Sequence, residues 1–244
     1  MTPPSGHGDQ VSSTDLPQAA ARVCLVVLIV AILANPRDAA ADWLFGAYMG
    51  AAATASNTLT VTPLAGAPST IANVAYKGQA FRSPIYYGMK ISLVPGDGRS
   101  GGFAPEIEWT HAKAIAQIDP RAHDLSAFQQ SHGLNFLLAN LAYRTTPGCA
   151  ARCTLVVRGG AGISTPHVES TFRNQHQEQY QYGGVAWQAG AGVEYELWRG
   201  VYALADARVT RVTEKHLHGT GADISGAFVT RHVDVGLAVR ISGQ

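Results

Sequence analysis

QAGAGVEYEL, residues 188–197, sorts its side chains by parity. Ala189, Ala191, Val193, Tyr195 and Leu197 fall on one side, and Gln188, Gly190, Gly192, Glu194 and Glu196 on the other. A period of two belongs to an extended strand, whose successive side chains leave opposite faces. The same alternation recurs in VDVGLAVRI, residues 233–241, where Val233, Val235, Leu237, Val239 and Ile241 oppose Asp234, Gly236, Ala238 and Arg240. In IYYGMKISL, residues 85–93, Ile85, Tyr87, Met89, Ile91 and Leu93 oppose Tyr86, Gly88, Lys90 and Ser92. From Asp42 onward there is no convincing long amphipathic helix.

Eight such segments can be counted: 42–54, 82–94, 102–115, 132–145, 153–165, 184–197, 201–213 and 227–241. Each has about the length of a tilted strand that crosses a bilayer. The stretches between them alternate in length, with 55–81, 116–131, 166–183 and 214–226 long and 95–101, 146–152 and 198–200 short. Short turns on one side and long loops on the other are the pattern of an outer-membrane barrel. The expected fold is therefore all-β, an eight-stranded antiparallel transmembrane β-barrel of the bacterial outer membrane, filling residues 42–244. Closure satisfies every backbone group without an edge, as hydrocarbon demands. Lys90, Glu106, Glu108, Arg144, Arg158, Glu194, Glu196, Asp206, Arg208, Asp234 and Arg240 all share the inward parity. Both signs are present, so paired charges rather than water are expected to fill a narrow lumen. A soluble β-sandwich or lipocalin-like barrel would also alternate, but it would put the apolar face inside.

The N-terminal residues 1–41 read as a signal or targeting segment. Arg22 precedes the short apolar run VCLVVLIVAILA, residues 23–34, and Ala39, Ala40 and Ala41 offer a small-residue cleavage site. An uncleaved membrane anchor is the competing reading. Export makes the close pair Cys149 and Cys153 a candidate structural disulfide in a periplasmic turn, since oxidising compartments favour bridges. A net charge of +1 with 14% charged residues gives no basic field of the kind nucleic acid requires.

With a periplasmic N-terminus, the third, fifth and seventh strands end at the cell exterior, and the fourth begins there. His111, His123, His132, His167, His176, His216 and His218 then lie at the outer rim or in the outer loops. In ISTPHVES, residues 163–170, the proline stops the ladder, and His167 and Glu169 follow at once. Neutral imidazole and carboxylate suit a transition metal or a general acid–base pair. Taken one at a time, such residues are equally the ordinary polar furniture of a surface loop.

YYGMK (86–90), EWTHAK (108–113), HGLNFL (132–137) and GAGISTPHVES (160–170) resemble the outer-membrane lipid A oxidases and their barrel relatives. The resemblance runs in outline over residues 42–241. It implies oxygen-dependent oxidation of the proximal glucosamine of lipid A to a 2-aminogluconate unit, with peroxide as by-product and lipopolysaccharide of the outer leaflet as partner. The sequence has no dinucleotide-binding glycine motif, so a divalent transition metal at the rim is the expected cofactor and molecular oxygen the co-substrate. His111, His167 and Glu169 are the expected ligands or acid–base groups, Lys113 is expected to meet an anionic group of the lipid, and Asn135 to orient the sugar. A lipid A deacylase using Ser164, Thr165 or Ser170 beside His167 remains a second reading, and a non-catalytic structural or adhesive barrel a third. Mass analysis of lipid A separates them.

Overall fold

The computed structural model of the chain describes residues 41–95, 101–147 and 152–242. It contains twelve strands among these residues: β1 (Ala41–Thr54), β2 (Asn57–Pro63), β3 (Ser69–Lys77), β4 (Tyr87–Pro95), β5 (Gly102–Gln117), β6 (Leu125–Thr145), β7 (Cys153–Ser164), β8 (His167–Phe172), β9 (Gln175–Tyr180), β10 (Gly184–Trp198), β11 (Val201–Gly219) and β12 (Ala222–Ile241). Eight of them close a ring in the order β1, β4, β5, β6, β7, β10, β11, β12, with every neighbouring pair antiparallel. Hydrogen-bonded partners followed around the ring from Ala53, through Arg231, Val209, Ala189, Gly159 and Leu141, arrive back on β1 near Trp43. That stagger is what tilts the strands of a closed barrel.

The parity read from the sequence sets the two faces. Outward residues are apolar and open to the surroundings: Val157, Val233 and Leu237 are 61%, 65% and 56% exposed. Aliphatic side chains left uncovered at this level on a closed antiparallel ring have hydrocarbon as their solvent. The chain is a protein of the bacterial outer membrane.

Inside the lumen the charges are paired. Lys90 meets Asp206 at 2.8 Å, Arg158 meets Glu106 at 3.2 Å and also Asp206, and Arg208 meets Asp234 at 2.7 Å and also Glu108. Arg144 pairs with Glu194, and Arg240 with Asp42. Asn140 ties Glu106 to Glu108 with donors at 3.1 and 3.0 Å. Tyr48 crosses this network by donating to Glu108 at 2.7 Å. Its ring lies so close over Gly88 that a Cβ there would sit 2.2 Å from the ring carbon Cζ, so only glycine fits beneath it. His232 is also interior, between the Tyr86 hydroxyl at 3.1 Å and the Thr210 hydroxyl at 2.9 Å.

The long-loop end differs from the sequence expectation. Much of 116–131 and 214–226 is strand, because β6 begins at Leu125 and β11 and β12 run to Gly219 and from Ala222. Opposite Lys113, β6 fits the three residues 131–133, and opposite Ser225, β11 fits Lys215 and His216; these bulges interrupt the alternation, and this hides the extensions from a period-two reading. The hairpin β2–β3 fills the gap above the shorter β1 and β4, pairing with β12 on one side and β5 on the other. The hairpin β8–β9 extends β6, and Gln181 of the segment after it reaches the His218 carbonyl at 2.8 Å. This upper storey encloses an apolar core that includes Leu59, Val61, Ile71, Phe128, Phe172, Leu217, Ile224 and Phe228. The lumen is therefore sealed by charges below and by hydrocarbon above. The candidate leader lies outside the described residues except for Ala41, which already belongs to β1. Cys153 opens β7, and Cys149, with the expected bridge, lies outside the described residues.

Arg208 faces two carboxylates, so Arg208→Ala leaves Glu108 and Asp234 short of their buried cation. Removing one partner of a buried ion pair costs about 3–5 kcal/mol. Urea unfolding of the barrel in liposomes should show a clearly lower midpoint for this variant, and an unshifted midpoint would contradict the paired lumen.

Candidate functional site

Where β5 and β6 leave the apolar belt, the outward face changes character. On β5 the outward series Phe103, Pro105, Ile107, Trp109 ends in His111. On β6 the series Tyr143, Leu141, Ala139, Leu137 ends in Asn135. His111 and Asn135 are direct cross-strand partners, and the His111 Nδ1 lies 2.8 Å from the Asn135 Oδ1. Asn135 also donates to the Thr165 carbonyl at 3.2 Å. The imidazole of His111 stands beside the Tyr87 and Trp109 rings, with centroids 5.2 and 6.2 Å away, and its buried Nε2 has no hydrogen-bond partner.

Immediately above, β6 bulges at Gly133, whose φ is +130°. A side chain there would be strained, and a Cβ would stand 2.4 Å from the Asn135 Oδ1. The irregularity presents both Ser131 and His132 toward β8. On β8, Val168, Ser170 and Phe172 face inward and are buried, which turns His167 and Glu169 to the outer wall. His132, His167 and Glu169 each offer a ligand atom, and these atoms all lie within 4.8 Å of one another. His132 Nδ1 is 2.8 Å from Glu169 Oε1, and His167 Nδ1 is 3.9 Å from the same oxygen. That His167 nitrogen is buried without a hydrogen bond, and the ring packs edge-on against Tyr180 at 4.6 Å. Burial alone would push the Glu169 carboxyl up, but hydrogen bonds from Ser131, His132 and Gln129 outweigh it and hold the carboxyl below its ordinary range. Glu169 is thus an anion beside two imidazoles.

Of the residues singled out from sequence, the structure joins His167 and Glu169 directly. It puts His111 with Asn135 on the wall below them, so His111 lies outside the three-donor cluster. His132 takes the place expected for His111; its position at the start of a rim strand, in SHGLN (131–135), marked it as a rim residue but gave no sign of its partners. Lys113 keeps the outward parity of β5 between the interior Ala112 and Ala114, but it is only 4% exposed, and its ammonium donates to the Arg82 carbonyl of the segment before β4 at 2.9 Å. At the far side of the rim, His216 and His218 both approach Asp223, at 3.4 and 2.8 Å.

No protein-family model and no curated protein matches the chain. Among solved structures it is similar to Neisserial surface protein A, at 10% identity over 81% of this chain and 96% of that one, with a TM-score of 0.44. It is also similar to the outer membrane protein AlkL, at 13% identity over 86% and 94%, with a TM-score of 0.45. Ail, the attachment invasion locus protein of Yersinia pestis, is similar at 11% identity over 82% and 98%, with a TM-score of 0.37.

Gly133→Ala forces a side chain into strained backbone, at a cost of about 1–3 kcal/mol, and pushes Asn135 from its place. Amide hydrogen exchange at residues 131–135 should quicken while residues 137–143 keep their protection. Equal exchange in both variants would show that the glycine is not what shapes this wall.

Proposed function

We propose that the outer wall formed by β5, β6 and β8 is a lipid A-modifying site, and that its reaction is oxygen-dependent oxidation of the proximal glucosamine. The observation that carries this reading is the convergence of His132, His167 and Glu169 on the outside of the barrel, directly above the apolar belt. Two imidazoles and one carboxylate are the donor set that non-haem iron(II) oxygenases use, and the three residues fit a divalent transition metal with positions left open. A metal held there would supply the redox coupling to dioxygen that side chains alone provide poorly.

The residues of the chain do the rest. The sugar of an outer-leaflet lipid A meets the wall at the height of Asn135 and His111, and Asn135 holds the His111 ring in one orientation. In this reading the His111 Nε2, buried and without a hydrogen-bond partner, is the base that takes the proton of the anomeric hydroxyl, and the sugar has to displace what covers it. The balance is simple: the anomeric carbon gives up its one hydrogen with two electrons and its hydroxyl gives up a proton, dioxygen takes both and becomes peroxide, and water opens the resulting lactone to the acid. The lipid gains one oxygen.

The deacylase reading loses two of its three nucleophiles. Ser164 is buried and donates to Glu214 at 2.9 Å, and Ser170 is buried on the inward face of β8. Neither shares a face with His167. The adhesive reading keeps one observation in its favour, the exposed outer face of β9, which carries His176, Glu178 and Tyr180 into water.

Cells that express the chain should yield lipid A heavier by one oxygen, only when grown with oxygen. Purified protein should bind one iron(II) or cobalt(II) ion, and His167→Ala should lose both the ion and the product while the folded barrel persists. Unaltered lipid A from an aerobic, expressing cell would sink the oxidase reading, and lipid A lacking an acyl chain would replace it.

A further inference from the structure

The opposite wall of the barrel carries a second departure from the apolar belt. On β11 the outward series Val201, Ala203, Ala205, Ala207, Val209 ends in Arg211. On β12 the series Ile241, Val239, Leu237, Val235, Val233 ends in Arg231. Val209 pairs with Arg231, and Arg211 with Val229, so the two arginines are diagonal neighbours on adjacent strands, within reach of one small group. Both are exposed. In the ring order, β11 and β12 stand across the barrel from β5 and β6, so this is not the wall of the histidine cluster.

These two guanidiniums differ from the others on the ring strands. Arg144, Arg158, Arg208 and Arg240 all face inward and all meet carboxylates. Arg211 and Arg231 have no ion-pair or hydrogen-bond partner among the described residues. The carboxylate above them on β12, Asp223, is taken by His216 and His218. Beside Arg211, its cross-strand partner Trp187 lies 62% exposed, and Val185, Trp187, Arg211 and Thr213 line a groove open to the membrane side. A paired, uncompensated guanidinium site at headgroup height, next to an aromatic face and an apolar groove, matches a phosphate on a glycolipid. Guanidinium meets phosphate through two parallel hydrogen bonds, which an ammonium does not reproduce.

We propose that Arg211 and Arg231 clamp a phosphate of a phosphorylated glycolipid in the outer leaflet, with its sugar against Trp187 and an acyl chain along the groove. The site shares a class of lipid with the proposed activity but none of its residues, and it holds the barrel's neighbouring lipid rather than its substrate.

The test uses the full barrel in phosphatidylcholine nanodiscs, with retained lipid measured by native mass spectrometry. Bisphosphorylated lipid A should bind the wild type, and the double variant Arg211→Gln, Arg231→Gln should bind it at least tenfold more weakly. Arg211→Lys with Arg231→Lys, which keeps the charge, should still lose most of the affinity. Arg173→Gln, on the β8–β9 hairpin, should bind as the wild type does. Phosphatidylglycerol should bind wild type and double variant alike, and His167→Ala should retain the clamp. Binding of lipid A by the double glutamine variant within twofold of the wild type would overturn the proposal. So would equal wild-type affinity for dephosphorylated lipid A, or full affinity in the double lysine variant.

Discussion

One continuous sheet has to satisfy two solvents, and the change from one to the other at the outer membrane surface organises everything else. In hydrocarbon the apolar side chains must point out, so the polar ones share the lumen. In water the order reverses. β6 shows the reversal along a single strand. Its inward residues run from Arg144 and Asn140 up to Leu134 and Phe128, while its outward residues run from Tyr143 and Leu137 up to Asn135, Ser131 and Gln129. β12 repeats it, from Arg240 and Asp234 inside to Phe228 and Ile224 inside. The strands do not stop where the membrane does; they exchange the roles of their faces.

The level of exchange is also where outward polar groups first become inexpensive. A charge on the lipid face of such a barrel costs about 2–4 kcal/mol at the midplane and about 0–1 kcal/mol near the interfaces. His111, Asn135, Arg211 and Arg231 all take that position on their strands. The wall of β5 and β6 uses it to stand an imidazole below a cluster of metal-type donors, and the wall of β11 and β12 uses it for two unpaired cations. Between them the lumen is filled by paired charges and, above these, by apolar side chains.

The barrel was legible in the sequence because hydrocarbon enforces parity without exception over several residues, as in QAGAGVEYEL and VDVGLAVRI. The upper storey was not. Above the membrane the bulge of β6 at residues 131–133, with Gly133 at positive φ, and the extra residue of β11 between Glu214 and Leu217 interrupt the alternation, and a strand then resembles a loop. The bulge of β6 also governs the site. Two residues of one hexamer, His167 and Glu169, were visible as neighbours on one face of a strand. Their third partner, His132, lies in that bulge, which no spacing announces, and Lys113 keeps its outward parity but is covered by the segment that carries Arg82. Arg211 and Arg231 escaped notice because each falls just where the apolar series ends, as any flanking residue would.

The account stands on the cluster of His132, His167 and Glu169 sitting at the lipid headgroups. Nitroxide labels placed singly at 141, 139, 137, 135, 131 and 129 on β6 measure that level directly, by comparing collisions with dissolved oxygen and with a water-soluble nickel chelate. The account predicts that oxygen dominates through 137 and that the nickel chelate takes over at 135 and above. A crossover below 139 would leave the cluster far out in water, and one above 129 would bury it in acyl chains. Either result would contradict a site that works on the headgroup of an outer-leaflet lipid.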